Sequence, residues 1–97
     1  MKAIFLIYAP ALEDDVMSAF KKSGLKKYSK FPYIHGVGGH SEPHLDTQVW
    51  PGSNEAMFIV TDEMAKKDVF VKGITELKKN YADEGIKAFV WDVEEVI

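Results

Sequence analysis

The sequence predicts an α+β fold in which an antiparallel four-stranded sheet carries two helices on one face. Apolar runs of strand length and helix-patterned segments follow one another in the order β-α-β-β-α-β. Right-handed crossovers in this order place both helices on the same face and the first and third strands at the centre. The second strand contains Pro32, which cannot donate to a sheet ladder and favours an edge position or a bulge. Together these observations predict a ferredoxin-like βαββαβ sandwich.

The first strand and the first helix are predicted over residues 3–8 and 11–22. The strand segment is continuously apolar, which is typical of a strand covered on both faces. In the helix segment apolar side chains recur at helical spacing, with acids in the first turn and lysines in the last, so both groups of charges oppose the helix dipole. Gly24 follows as a C-terminal stop. The second strand is predicted over 25–35.

A loop over 36–52, rich in Gly and Pro, separates the second strand from a third strand predicted over 55–61. The second helix then extends to about residue 79, and either Thr61 or Asp62 can cap its N-terminus.

Gly73 lies inside the second helix, where a glycine costs roughly 1 kcal/mol relative to alanine. The sequence therefore predicts a close approach of this helix to the sheet at Gly73. A turn over 80–85 and a last strand over 86–91 complete the fold, followed by an acidic and apolar tail over 92–97.

Length and composition indicate one domain over 1–97. The chain has 97 residues, of which 46% are hydrophobic and 28% are charged, as is ordinary for a globular protein. Its net charge of -3 argues against nucleic-acid binding, because no basic excess exists to neutralise phosphates. There is no cysteine, which excludes disulfides and thiolate metal sites. A cytoplasmic protein without direct membrane insertion is expected, since no segment approaches the roughly 20 apolar residues of a membrane span.

The central strands are apolar on both sides. In the first strand Phe5 and Ile7 alternate with Leu6 and Tyr8, whereas two helices can cover only one of these faces. An open apolar face of this extent would make a monomer prone to aggregation. The sequence therefore predicts a homo-oligomer with closed symmetry.

The chain resembles the PII-like signalling proteins. The resemblance covers essentially the whole chain and rests on the order of elements, on the segments 74–79 and 85–97, and above all on the Glu-Pro-His and Trp-Pro-Gly motifs at 42–44 and 50–52. It is similar in particular to a subgroup with a short central loop. The resemblance implies a homotrimer whose sheets face inward, with ligand clefts between subunits beneath the loop. The loop residues expected to serve ligand binding are Gly36, Gly38, Gly39, Glu42, His44 and Trp50.

The turn before the last strand departs from the family pattern. In PII proteins that bind ATP this stretch is rich in Gly and Arg, whereas residues 80–85 contain two acids and no arginine. Carboxylates there would repel phosphate groups, so ATP binding is expected to be weak or absent. The loop also lacks tyrosine, so nucleotidylation at a loop tyrosine is not available.

Three loop residues are candidate metal ligands, namely His40, Glu42 and His44. Imidazole and carboxylate together suit zinc, copper or nickel, and three such ligands leave a coordination position open. His35 and Asp46 lie nearby in the sequence. The alternative is that these polar residues are simply solvated on an exposed loop, because no regular metal-binding spacing such as HExxH is present.

Three hypotheses for function remain open. The first is a non-enzymatic regulatory or sensor trimer that binds a metal ion or small ligand through its loop and docks on a partner, with a membrane transporter as the candidate partner. The second is a divalent-metal-binding trimer of the CutA type. The third is a small oligomeric enzyme that uses a histidine in an interfacial pocket. The sequence contains no nucleophile–base pattern that would support it. The cofactor is not identified by the sequence; a divalent transition metal is the candidate.

Overall fold

The computed structural model describes residues 1–35 and 53–97 of the chain. The four strands are β1 (Lys2–Tyr8), β2 (Ser29–Ile34), β3 (Asn54–Thr61) and β4 (Ile86–Asp92). The two helices are α1 (Glu13–Ser23), which follows a short 3-10 turn (Pro10–Leu12), and α2 (Met64–Asn80). All the strand pairs are antiparallel, in the order β2-β3-β1-β4. The predicted fold class, with β1 and β3 at the centre, is confirmed.

Strand β2 lies at one edge of the sheet, and its pairing with β3 is irregular between Phe31 and Ile34, on either side of Pro32. Both consequences expected of this proline are present. The strand is nevertheless shorter than the predicted 25–35. Leu25 is buried in the core instead, and its N–H donates to Ser23 Oγ at 3.1 Å, which takes this part of the chain out of the sheet.

Helix α1 ends where the sequence predicts. Gly24 adopts a φ of 86°, in the left-handed region that a residue with a Cβ avoids, and its N–H donates to the carbonyl of Lys21 at 3.1 Å. Ser23 Oγ donates to the carbonyl of Phe20 at 2.6 Å. The exit from the helix is therefore fixed by two local hydrogen bonds.

Two predictions about α2 were wrong. The helix begins at Met64, and neither Thr61 nor Asp62 caps it; Thr61 Oγ1 accepts the N–H of Glu63 at 3.0 Å before the helix starts. Gly73 faces the other helix and not the sheet, because a Cβ at this position would lie 3.2 Å from Cβ of Ala19 in α1. The close approach that the glycine permits is between the two helices.

The core lies between the helices and one face of the sheet, and we call that face the covered face. Its side chains come from all the helices and strands except β2 and from the segment after α1: Ile4, Leu6, Tyr8, Leu12, Val16, Phe20, Leu25, Met57, Ile59, Phe70, Ile74 and Ile86. Within residues 1–35 and 53–97, no helix has both the length and the apolar character needed to cross a membrane.

Candidate functional site

One end of the sheet brings together the chain segments that flank the central loop. Strand β2 ends there at Ile34 and β3 begins there at Asn54, and these two residues are paired. The antiparallel order brings the end of β1 and the start of β4 to the same place, where Tyr8 pairs with Ile86. The N–H of Ala9 donates to the carbonyl of Gly85 at 2.9 Å, which joins the turn before β4 to this end as well. We call it the loop end.

Four polar side chains meet on the covered face near the loop end. Tyr8 Oη donates to Glu13 Oε1 at 2.6 Å, and Lys30 Nζ lies 2.5 Å from the same oxygen. Lys30 Nζ also lies 3.0 Å from Glu55 Oε1, and the ammonium sits over the Tyr8 ring, 5.8 Å from its centroid. The contact with Glu55 has the distance of an ion pair without the angles of a hydrogen bond, so Glu55 Oε1 is buried with no hydrogen-bond donor among the described residues. We call these four residues the loop-base cluster.

The contacts within the loop-base cluster move the pKa values of Tyr8, Glu13 and Lys30 away from neutrality. Burial raises the pKa of Tyr8 far above its ordinary value, helped by its hydrogen bond to Glu13. For Lys30, burial alone would lower the pKa, but the carboxylates of Glu13 and Glu55 outweigh burial and raise it. For Glu13, burial alone would raise the pKa, but hydrogen bonds from Lys30 and Tyr8 outweigh burial and lower it. At neutral pH the phenol is therefore neutral, the ammonium is charged and Glu13 is ionised.

The cluster joins elements that are far apart in the sequence. Lys30 in β2 precedes the loop, Glu55 in β3 follows it, and Glu13 opens α1. The side chains of Lys30 and Glu55 are only 27% and 23% exposed, so their attraction is screened less than that of a surface pair. What the arrangement can do is hold the two ends of the loop at a fixed separation on a rigid base.

The loop-base cluster was not predicted from the sequence. Lys30 could be read from the sequence only as one of several lysines on an edge strand, which commonly discourage aggregation. In the structure Lys30 pairs with Met57 on the covered face, whereas its neighbours Ser29 and Phe31 pair with residues of the other face. The alternation along β2, taken with the acids at Glu13 and at the start of β3, was the available signal.

The face of the sheet opposite the helices, which we call the open face, is aromatic. Cross-strand partners share a face, and the register places Phe5 between Phe58 and Phe89 on it. Phe5 contacts Phe31 and Phe58, with ring centroids 6.0 and 6.3 Å apart. Phe58 also contacts Trp91 at 6.3 Å. Phe31, Phe89 and Trp91 remain 43%, 48% and 45% exposed, so this apolar surface is not covered by the described part of the chain.

The loop residues singled out in the sequence lie outside the described residues. They are Gly36, Gly38, Gly39, His40, Glu42, His44 and Trp50, and the metal site and ligand loop stay predictions. His35 is described and is exposed directly after β2. Within the two described ranges, no three His, Asp or Glu side chains are grouped so that they could hold a metal ion.

The turn before β4 is short and acidic. The N–H of Glu84 donates to the carbonyl of Tyr81 at 2.9 Å, which closes the turn. Asp83 is exposed and Glu84 is half-buried. The two carboxylates of this turn therefore lie at the loop end, and weak binding of phosphate groups there stays a prediction.

Comparison with known families gives a match over the whole chain. The model of the family described as nitrogen regulatory protein P-II matches residues 1–97. A search of the curated proteins finds no match.

Solved structures share the fold at low sequence identity. A PII-like signalling protein from Thermus thermophilus is 22% identical, with a TM-score of 0.61 over 95% of this chain and 85% of that one. CPII from Thiomonas intermedia, bound to ADP and bicarbonate, is 15% identical, with a TM-score of 0.69 over 95% of this chain and 84% of that one. A second structure of CPII, bound to ADP, AMP and bicarbonate, is aligned at 18% identity with a TM-score of 0.68 and the same coverage.

Proposed function

The chain belongs to the family of nitrogen regulatory protein P-II, and on that premise we propose that it is a homotrimeric sensor that binds a small ligand or a metal ion at its loop end. The observation that carries this proposal is the open face, which borders the loop end and presents five aromatic side chains without a cover from the described chain. Large apolar surfaces of this kind mark protein–protein contacts.

Three copies packed through their open faces would bring three loop ends close to their neighbours. A ligand bound between a loop end and the adjacent subunit would then touch two chains, and its binding would alter the surface that the trimer presents. The loop-base cluster supports this role because it joins the strands on either side of the loop. These strands would then stay in place when a ligand changes the loop.

For the ligand we propose a divalent transition metal held by His40, Glu42 and His44, or a small anion. Bicarbonate is the anion to test first, because it is bound by CPII, which shares the fold. CPII is also bound to ADP. In this chain Asp83 and Glu84 stand in the turn before β4, so we expect nucleotide phosphates to bind weakly.

A regulatory role is favoured over an enzymatic one by the family, which is described as that of a nitrogen regulatory protein. We propose a transport system of the membrane as the regulated partner, docked through the loop.

Calorimetry and light scattering on the purified protein test the proposal together. We expect a mass of about three times that of the chain. We then expect saturable binding of zinc, copper or nickel, or of bicarbonate, with Mg-ATP binding weakly or not at all. A folded, soluble monomer would remove the basis of the proposal, and micromolar Mg-ATP binding would overturn the expectation about nucleotides.

Two histidine variants locate the metal site. His44→Ala should abolish metal binding and leave the trimer intact, whereas His35→Ala, just before the loop, is the matched control and should bind as the wild type does. Metal affinity should also fall as the pH drops through about 6.5, because imidazole must be neutral to coordinate a metal. Equal metal affinity in the wild type and the His44→Ala variant would rule out His44 as a ligand.

A further inference from the structure

Two carboxylates of the loop-base cluster share one ammonium group. Lys30 Nζ lies 2.5 Å from Glu13 Oε1 and 3.0 Å from Glu55 Oε1, so the two acids face each other across a single nitrogen atom. Tyr8 contributes a hydroxyl group and no charge at neutral pH. With both acids ionised, the cluster carries one negative charge more than its cation neutralises. Two carboxylates that share a site repel each other, and the binding of one proton relieves that repulsion.

The two acids differ in the hydrogen bonds that they accept. Glu13 Oε1 accepts the Tyr8 hydroxyl at 2.6 Å and contacts the Lys30 ammonium, and both partners favour its ionised form. Glu55 Oε1 is buried and has no hydrogen-bond donor among the described residues. A buried acceptor without a donor is costly, and a proton removes that cost because a protonated carboxyl group is itself a donor. The contacts thus favour Glu55 over Glu13 as the site of the first proton.

A protonated Glu55 has an acceptor inside the cluster. Tyr8 pairs with Glu55 in the register of β1 and β3, and the Tyr8 hydroxyl contacts Glu13. Burial alone would raise the pKa of Glu13, and a hydrogen bond from Glu55 is one of the contacts that lower it instead. The carboxyl groups of the two acids are therefore within hydrogen-bonding reach of each other. The side chain of Glu55 is 23% exposed, so water can deliver the proton.

The charged and titratable groups around Glu55 come from three elements. Strand β1 supplies Tyr8, β2 supplies Lys30 and α1 supplies Glu13. Among residues 1–35 and 53–97, neither α2, β4 nor the exposed His35 forms an ion pair with Glu55. A change in the charge of Glu55 therefore acts first on its ion pair with Lys30.

We propose that the loop-base cluster is an acid-sensitive switch, in which a proton on Glu55 exchanges its ion pair with Lys30 for a hydrogen bond to Glu13. At neutral pH the ammonium joins β2, before the loop, to β3, after it, and joins both strands to α1. After proton uptake from water, the O–H of Glu55 donates to the Glu13 carboxylate, and Lys30 keeps its ion pair with Glu13. The ion pair between the two strands that flank the loop is then lost. This inference uses neither the trimer nor the ligand of the proposed function.

Carboxyl carbon NMR of the wild type tests the order in which the two acids bind protons. The titration runs from about pH 7 to about pH 3, a range that brackets ordinary carboxyl groups. We expect Glu55 to titrate before Glu13, and the Glu13 signal to move in the same step because Glu13 gains the new hydrogen bond. Titration of Glu13 first, independent titration of the two acids, or unfolding before the first step would overturn the switch.

A Glu55→Gln variant tests the loss of the link between the strands. Its amide carries no charge and can donate to Glu13, so it imitates the protonated acid at every pH. Hydrogen exchange of the backbone amides of β2 and β3, corrected for the intrinsic effect of pH, measures how firmly the strands are joined. At neutral pH the variant should exchange several-fold faster than the wild type at the loop end of the ladder and equally at the other end. Acidification should bring the wild type to the rate of the variant.

Glu94→Gln is the matched control, because Glu94 is exposed in the tail after β4, and it should follow the wild type at each pH. Equal exchange in Glu55→Gln and the wild type at neutral pH would overturn the switch. Equal acceleration along the whole β2–β3 ladder would overturn it too, since the variant would then only be less stable.

Discussion

The two faces of the sheet are built from the same strands and meet opposite surroundings. On the covered face Leu6 and Ile59 are excluded from water by the two helices, and Phe70 of α2 is buried in the same core. On the open face Phe58 and Trp91 have only other side chains of the sheet beside them. Strands with apolar side chains on both faces of the sheet therefore do not specify two cores within one chain. They specify one core and one apolar surface that the described chain leaves exposed, and the loop-base cluster lies at the loop end of the covered face.

Aspartate placed at one of two adjacent residues of β3 should have the largest effect, and the effect should differ between the two faces. Ile59 is 1% exposed on the covered face, and Ile59→Asp should unfold the protein, because an unpaired buried charge costs several kcal/mol out of a typical total of about 5–15. Phe58→Asp should leave a folded chain that no longer associates. Circular dichroism measures folding and light scattering measures mass.

Phe58→Leu is the control for the second variant, since it keeps the open face apolar and should remain associated. If Phe58→Asp keeps the mass of the wild-type oligomer, the open face is not where the subunits meet. If both aspartate variants unfold equally, the distinction between the two faces has no energetic basis.

Removal of the lysine in the loop-base cluster should have the next largest effect. Lys30→Met leaves Glu13 and Glu55 facing each other without their shared cation, and we expect it to lower the free energy of unfolding by about 1–3 kcal/mol. Lys27→Met is the matched control, because Lys27 is exposed and precedes β2. Urea unfolding measures both. An equal, small loss in the two variants would mean that the cluster contributes no more than a surface charge.

The sequence predicted the fold well because its signals are local. Gly24 stops a helix through its own backbone, and Pro32 constrains its own strand, so each can be interpreted without knowledge of the rest of the chain. The loop-base cluster and Gly73 depend on which distant residues become neighbours. Glu13 and Glu55 are brought together by the pairing of Tyr8 with Glu55 and by the contacts that Lys30 makes with both carboxylates. For the same reason the sequence predicted the loop as the functional segment but not the contacts of the strands that flank it.

The pH dependence of stability tests the contribution of Glu13 in the loop-base cluster. The pKa of Glu13 is below its ordinary value of 4.5 in the folded protein, so the ionised form stabilises the fold above that value and the contribution is lost as the pH falls through the lowered one. At neutral pH the free energy of unfolding of the wild type should exceed that of the Glu13→Gln variant by about 1 kcal/mol. The difference should shrink as the solution is acidified below about pH 4.5.

Urea unfolding at several pH values checks this, with Asp14→Asn as the control because Asp14 is exposed beside Glu13. A difference between wild type and Glu13→Gln that does not change with pH would mean that the carboxylate charge of Glu13 has no part in stability.

The smallest effect is expected where the two helices above the covered face touch. Gly73→Ala gains helix propensity worth about 1 kcal/mol, but the new Cβ would meet that of Ala19 at 3.2 Å, a few tenths of an ångström closer than such atoms normally approach. We expect the two effects nearly to cancel in the wild-type background. In an Ala19→Gly background the contact is absent, and Gly73→Ala should stabilise by the full propensity difference. A double-mutant cycle measured by urea unfolding gives the coupling between the two positions, and a coupling near zero would show that the helices move apart freely, so that Gly73 is not required for their approach.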